Sequence, residues 1–239
     1  MNIILLLSIC CSLLMNVSYA LTNSWFISLS AGPAWGVKPS SQTLTLAPDI
    51  IKTYVPSTLA QTFAVGDVYL GCRHELHNNL DAQLGLAFMA TSHATLPGYI
   101  YDDGLSQFNN YSYKYKLQHD HVAVKGRLLW NTQKYLMPWV AASLGVGWNQ
   151  AYSFTNTPLI SQAVMMPNFT TKTTTAFTYT LGAGVQHALQ NNLQVGVGYE
   201  FADWGKNQLG LAPSQTLGSG LNLTNFYVNG LMFNITYLG

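Results

Sequence analysis

The chain has 239 residues, of which 49% are hydrophobic, 13% are aromatic and only 8% are charged, and its formal net charge is +1. A soluble domain carries about 25% charged residues, so this composition does not fit an ordinary water-exposed surface. We expect no nucleic-acid partner, because binding phosphate requires clustered Lys and Arg, which the sequence lacks.

Residues 1–20 predict a cleavable secretory signal peptide. Their apolar stretch, from Ile3 to Leu14, is followed by Ser18 and Ala20 at the −3 and −1 positions of a cleavage site. No Lys or Arg precedes the apolar stretch, so an uncleaved anchor is the alternative. Cleavage leaves Cys72 as the only thiol, which excludes an intrachain disulfide and a cysteine-based zinc site.

Residues 21–239 predict a membrane-spanning domain without membrane-spanning helices. Beyond the signal, the sequence contains no run of 18 or more apolar residues, the length that a spanning helix needs. A closed β-barrel is the other structure that satisfies every backbone hydrogen bond in hydrocarbon.

Alternation of apolar residues with small or polar ones predicts the strands of this barrel. In residues 80–90, Leu84, Leu86 and Phe88 fall on one face, and Asp81 and Gln83 on the other. The pattern is equally clear in residues 177–187 and 193–202. It recurs in residues 25–35, 63–73, 113–130, 136–149 and 225–238. The prediction is an all-β fold, an eight-stranded antiparallel transmembrane up-and-down β-barrel.

The fourth predicted strand changes the phase of its apolar residues. Tyr113 and Leu117 share one face, whereas Val122 and Val124 lie on the other. This shift predicts either a β-bulge at residues 118–121 or a hairpin that rises beyond the membrane.

The predicted connections alternate between short and long. Residues 74–79, 131–135 and 188–192 are short, and residues 36–62, 91–112, 150–174 and 203–224 are long. This asymmetry is typical of outer-membrane barrels, with turns and both termini in the periplasm and long loops outside the cell. The first loop is apolar enough to pack over the barrel mouth or to hold a partner. The fourth is rich in Gly, Ser and Asn, and we expect it to be mobile.

Aromatic residues near the predicted strand ends indicate the belts that mark membrane interfaces. They are Trp25, Trp35, Tyr69, Trp130, Trp139, Trp148, Phe201, Trp204, Tyr227 and Tyr237. A soluble β-sandwich with these aromatics in its core is the alternative, and the scarcity of charge disfavours it.

Six charged residues fall on inward faces of the predicted strands: Asp67, Arg73, Asp81, Lys125, Arg127 and Glu200. Side chains fill the interior of an eight-stranded barrel, and charges enclosed there need partners. We therefore predict a salt-bridged plug in which Lys125 or Arg127 meets Glu200 or Asp81. An ion pathway is the alternative.

We expect neither catalysis nor a bound cofactor or metal. In a strand, His119 and His121 share a face while Asp120 points away, so the three do not converge. Ser92 and His93 could serve a lipid A-modifying barrel, but no matching motif surrounds them. The Gly-x-Gly pairs, such as Gly182/Gly184, lie within strands, so small residues that let the interior taper explain them better than nucleotide binding.

The last predicted strand resembles the C-terminal β-signal that the barrel-assembly machinery reads. Leu231, Phe233, Ile235 and Tyr237 alternate on one face, and Gly239 replaces the usual terminal Phe. With residues 122–127, 138–147 and 181–186, the chain resembles the opacity-protein and OmpA-like superfamily of small eight-stranded barrels. The resemblance implies the outer membrane of a Gram-negative cell, with outer-membrane lipids, lipopolysaccharide and the assembly machinery as partners.

Two functions follow as hypotheses. The first is a non-enzymatic surface protein, structural or adhesive, a surface antigen whose loops meet host or environmental ligands. The second is a narrow OmpW-like conduit for small or apolar solutes, and an enzyme ranks third.

Overall fold

A computed structural model describes residues 24–58, 62–77, 79–132, 136–213 and 215–239. The predicted signal peptide, residues 1–20, lies outside these ranges. The strands in chain order are β1 Ser24–Gly36, β2 Gln42–Ala47, β3 Ile50–Pro56, β4 Phe63–His77, β5 Leu80–Thr91, β6 Ala94–Asp102, β7 Asn109–Trp130, β8 Met137–Pro158, β9 Lys172–Gln190, β10 Leu193–Asp203, β11 Asn207–Gln208, β12 Asn222–Leu223 and β13 Tyr227–Leu238. A short 3-10 helix, Ser106–Phe108, precedes β7. Among the residues described, no helix is long and apolar enough to cross a membrane.

Eight of the strands form a closed antiparallel ring. Its order is β1, β4, β5, β7, β8, β9, β10 and β13, and the pairing of β13 with β1 closes it. Closure gives every ring strand two hydrogen-bonded neighbours, which is what a strand in hydrocarbon requires. The predicted fold class is thus confirmed.

The two faces of the ring follow the predicted alternation. On β5, Leu84, Leu86 and Phe88 are exposed on the outside, whereas Asp81 and Gln83 are buried inside. A lipid-facing surface accounts for large exposed apolar side chains at alternate positions.

The barrel wall continues well beyond its apolar belt. β7 and β8 each have 22 residues, and β5 pairs with the half of β7 near the short turns. The distal half of β7 pairs instead with β6, and the sheet continues through β3 to β2. We call this distal part the extracellular sheet, after the orientation that the sequence predicts.

Two segments predicted to be loops are therefore partly strands. Residues 36–62 contain β2 and β3, and residues 91–112 contain β6. Their alternation is short, and Pro97 and Gly98 interrupt it in β6. These strands lie beyond the belt, so no lipid imposes a continuous apolar face on them.

The predicted β-bulge at residues 118–121 is wrong. Leu117, His119 and His121 all point inward along an uninterrupted β7. The register shift between β7 and β8 lies farther out, between Lys114 and Lys116. The apolar residues change face because the strand leaves the lipid: beyond the belt its outer face meets water and its inner face packs a core. The alternative that the sequence offered, a rising hairpin, describes the structure.

A hydrophobic core fills the extracellular sheet. Tyr113 stacks on Phe154 with ring centroids 5.7 Å apart, and Phe154 packs edge-on against Phe169 at 5.0 Å. The connection from β10 to β13 contributes Trp204 and Leu209, both buried. The described part of residues 203–224, which the sequence predicts to be mobile, also contributes Leu221 and Leu223, and these buried apolar residues complete the core.

The aromatic belt is smaller than the sequence predicts. Trp25 lies 5.6 Å from Tyr237 at one rim, and Trp35 lies 6.4 Å from Tyr199 at the other. Three residues assigned to the belt, Tyr69, Trp139 and Trp204, are instead buried inside the molecule. Their positions near strand ends do not reveal which face they occupy.

Candidate functional site

Lys125 joins the ion pairs inside the barrel. Its Nζ donates a hydrogen bond to Glu200 Oε1 at 2.9 Å and lies 3.6 Å from Asp67 Oδ2. The three residues come from β7, β10 and β4, which are not neighbours in the ring. The ion pairs therefore span the lumen instead of running along its wall.

Arg127 fills the layer next to this cluster without pairing to a carboxylate. Its guanidinium lies 4.7 Å from the ring centroid of Trp139 and 5.4 Å from that of Tyr69. It also donates a long hydrogen bond of 3.5 Å to Gln186 Oε1. Stacking on two aromatic faces is a favourable environment for a buried guanidinium.

Arg73 and Asp81 form a separate pair near the short-turn end. Arg73 Nη2 donates to Asp81 Oδ2 at 2.6 Å, across the neighbouring strands β4 and β5. Asp81 therefore binds Arg73, and it does not meet Lys125 or Arg127 as one version of the predicted plug has it.

A layer of histidines covers the ionic cluster on the side of the extracellular sheet. His119 Nδ1 lies 2.6 Å from Asn149 Oδ1, and His119 Nε2 lies 2.8 Å from His121 Nδ1. The indole of Trp204 stacks on His119 with ring centroids 4.3 Å apart and planes only 6° from parallel. Asn149 Nδ2 donates a hydrogen bond to the carbonyl oxygen of Trp204 at 2.6 Å. This bond holds Trp204 over the lumen.

We call the layer of His119, His121 and Trp204 the cap. The sequence alone does not predict it. The sequence does place His119 and His121 on one face of the strand, with Asp120 on the other. It does not show the partner, because Trp204 follows β10 by one residue and was assigned to the lipid interface. Within the described ranges, no group of three His, Cys, Asp or Glu side chains could hold a metal ion.

Glycines inside the wall make room for the large inward side chains. A Cβ at Gly184 would come within 2.6 Å of Trp139 Cζ2, and one at Gly147 within 2.5 Å of His119 Cε1. Gly198 also faces the Trp139 ring. These Gly-x-Gly pairs thus accommodate the aromatic filling of the lumen.

The four residues of the predicted β-signal occupy one exposed stripe on β13. Leu231, Phe233, Ile235 and Tyr237 are all exposed on the outside of β13. At the chain end, a Cβ on Gly239 would collide with the indole of Trp25. The indole of Trp25 therefore occupies the space that a side chain at this position needs.

Comparison with solved structures identifies the class of this fold. The outer membrane protease OmpT from Escherichia coli aligns with a TM-score of 0.53 at 9% identity, over 92% of this chain and 99% of that chain. OprG from Pseudomonas aeruginosa aligns with a TM-score of 0.45 at 13% identity, over 90% and 96% of the two chains. Neisserial surface protein A (NspA) aligns with a TM-score of 0.44 at 12% identity, over 89% and 96%. No family model and no curated protein matches the chain.

The fold is that of an outer-membrane β-barrel. The alignment with OmpT, which has a TM-score of 0.53, supports this barrel fold. The closed ring makes this chain an eight-stranded member of that structural class. At these identities, the likeness shows the fold alone.

Proposed function

We propose that the protein is a non-enzymatic outer-membrane surface protein, structural or adhesive, whose closed barrel anchors an extracellular sheet that meets host or environmental ligands. The observation that carries the proposal is the closed lumen. Lys125 bridges Glu200 and Asp67 across it, and Trp204 stacks on His119 above it. A barrel filled in two successive layers is suited to anchoring rather than to transport.

The orientation belongs to this proposal. The ends of β1 and β13 lie beside the short connection between β9 and β10, where Leu238 N donates to the carbonyl oxygen of Asn192 at 2.9 Å. We infer that this end faces the periplasm. Lipopolysaccharide and other outer-membrane lipids then surround the belt, and the assembly machinery reads the stripe on β13.

Cell adherence tests the proposed role. In one variant, residues 159–165, all exposed except the partly buried Ala163, are replaced by a short Gly-Ser turn. In a control, the turn at residues 103–104 is replaced in the same way. Both are first shown to form barrels by their different migration before and after boiling. We expect the first variant to lose adherence to host cells or to abiotic surfaces while the control keeps it. Full adherence by cells that carry the first variant, or by cells that lack the protein, would contradict an adhesive role.

Single-channel recording tests the closed lumen separately. We expect no steady conductance from the purified protein in a planar bilayer. A large, steady conductance would rule out the plug without bearing on adherence.

A narrow conduit for apolar solutes is the second candidate, and one feature favours it. A groove of about 700 Å³ lies on the lipid-facing wall between β9 and β1, lined by apolar residues such as Val195, Val197 and Phe233. It reaches Gln186 and Asn234, whose side chains point inward. However, β10 pairs continuously with β13 along this wall, and Gly196 pairs with Asn234. Uptake of a fluorescent apolar solute into proteoliposomes, blocked by Val197→Trp, would favour the conduit.

We also infer that the protein is not an enzyme. His119 is engaged by Asn149 and His121, and Asp120 lies on the opposite face of β7. Ser92 accepts a hydrogen bond from the backbone nitrogen of Ala64 at 2.9 Å, and its neighbour His93 is exposed. Incubation with labelled lipid A tests this inference, since a released or transferred acyl chain would overturn it.

A further inference from the structure

The extracellular sheet contains a cavity of about 250 Å³ near its tip. Three separate segments line it: the β2–β3 hairpin, the segment after β8 and the segment between β11 and β12. Their main apolar contributions are Leu46, Ile50, Tyr54, Met166, Phe169 and Ala212. No single stretch of sequence reveals this cavity, because its walls come from residues more than 150 positions apart.

The floor of the cavity is aromatic. Tyr54 and Phe169 are both buried, and their ring centroids lie 5.5 Å apart at an angle of 55°. Met166 borders the same space, and a thioether makes favourable contacts with aromatic rings. The floor therefore suits another aromatic ring.

The cavity carries no unbalanced charge. Lys52, the charged side chain among its lining residues, forms an ion pair with Asp102. Burial, with Asp102 as a smaller cause, raises the pKa of the Tyr54 phenol, which therefore stays neutral. A ligand for this space has no charge to satisfy.

The rim of the cavity is apolar and lies outside the lipid belt. Val164 and Met165 are 79% and 66% exposed beside Met166, and Leu211 is 50% exposed beside Ala212. Leu217 is exposed as well, and its backbone nitrogen donates to the carbonyl oxygen of Leu46 at 3.2 Å. Exposed apolar residues that border a cavity on a water-facing surface are typical of protein interfaces.

We propose that this cavity receives one uncharged aromatic side chain of a partner protein, with the apolar rim packing around it. A pocket for a drug-sized ligand measures roughly 300–1,000 Å³, so the smaller space here matches a single residue. Aromatic residues in desolvated pockets surrounded by weaker contacts are typical anchors of protein interfaces. The proposal rests on the proposed function, since it names the chemistry of the ligand that the extracellular sheet meets.

The test uses the mature protein in lipid nanodiscs and three probes, observed by saturation-transfer NMR with empty nanodiscs as the blank. The probes are N-acetyl-tryptophanamide, N-acetyl-leucinamide and free indole. We expect N-acetyl-tryptophanamide to bind with a Kd on the order of 1 mM, as a ligand with few atoms allows. N-acetyl-leucinamide should bind at least tenfold more weakly.

Variants locate the binding. Ala212→Leu fills the cavity and should weaken binding of N-acetyl-tryptophanamide at least tenfold, whereas Gln107→Leu, at an exposed position in the 3-10 helix, should change it less than twofold. Ala47→Leu fills the cavity from the opposite wall and replaces Ala212→Leu if that variant does not assemble.

Three results would overturn the proposal. They are no binding of N-acetyl-tryptophanamide, equal binding to the filled and unfilled proteins, and binding of free indole alone, which would make this a site for a small molecule. Each leaves the adherence experiment unaffected. Conversely, loss of the adhesive role with binding retained would remove the proposed function and leave the cavity assignment in place.

Discussion

The ring of Trp139 on β8 occupies the space that a side chain at Gly198 on β10 would need. A Cβ built at Gly198 would lie 2.5 Å from Trp139 Cη2, although β9 separates the two strands in the wall. The inward indole of Trp139 therefore extends past β9 and packs against the backbone of Gly198 on β10. The same indole lies against Arg127, so the glycine helps to hold the layer that closes the lumen.

Gly198→Ala should destabilise the barrel, because the methyl group forces Trp139 out of its position. Overpacking of this kind costs about 1–3 kcal/mol. The measurement is the urea midpoint of unfolding in lipid vesicles. Gly126→Ala is the matched control, since nothing lies within 4 Å of its added Cβ. Equal midpoints for the two variants would show that the indole moves aside without cost.

Lys125→Met should destabilise the barrel more strongly, because it leaves Glu200 and Asp67 buried without their cation. Breaking a buried ion pair from one side costs about 3–5 kcal/mol. The double variant Lys125→Met/Glu200→Gln should recover part of this loss, since it removes one of the orphaned charges. The same unfolding assay measures both, and a Lys125→Met protein as stable as the wild type would contradict a structural role for the cluster.

Trp204→Ala should loosen the cap over the barrel mouth. Trp204 is 2% exposed and packs on both His119 and Phe226, and loss of a buried aromatic costs about 3–5 kcal/mol. We expect residues 203–224 to become sensitive to added protease on intact cells. Trp148→Ala serves as the control, because Trp148 is exposed on the outer face of β8. Protease resistance like that of the wild type would mean that the loop is held by other contacts.

The membrane-embedded half of the barrel could be predicted because lipid imposes a rule on every second residue. On β5 this rule gave both the strand and the direction of Asp81 and Gln83. Outside the lipid this rule does not apply, so the sequence predicts loops where the structure has β2, β3 and β6. Tyr54 on β3 shows why: its burial depends on Phe169 and Tyr113, which are distant in sequence.

The charged cluster could be predicted in part. Alternation gives the inward direction of Lys125 and Glu200, but it gives no relative height for strands that are not neighbours. For that reason the sequence predicts either Lys125 or Arg127 as the partner of the buried carboxylates. The structure separates them, because Trp139 and Tyr69 surround the guanidinium and the ammonium alone reaches the carboxylates.

Gly239→Phe tests whether recognition of the predicted β-signal or packing against Trp25 has the greater effect on barrel assembly. A Phe at residue 239 would complete the predicted β-signal pattern, which by recognition alone should speed assembly. The structure predicts the opposite, because a side chain at this position collides with the indole of Trp25. We expect a smaller folded fraction on unboiled gels, and we expect Trp25→Ala to restore it in the double variant by clearing the space. Trp25→Ala alone controls for loss of the contact with Tyr237, whose ring centroid lies 5.6 Å away. Faster assembly of the single Gly239→Phe variant would show that recognition outweighs packing at this end of the barrel.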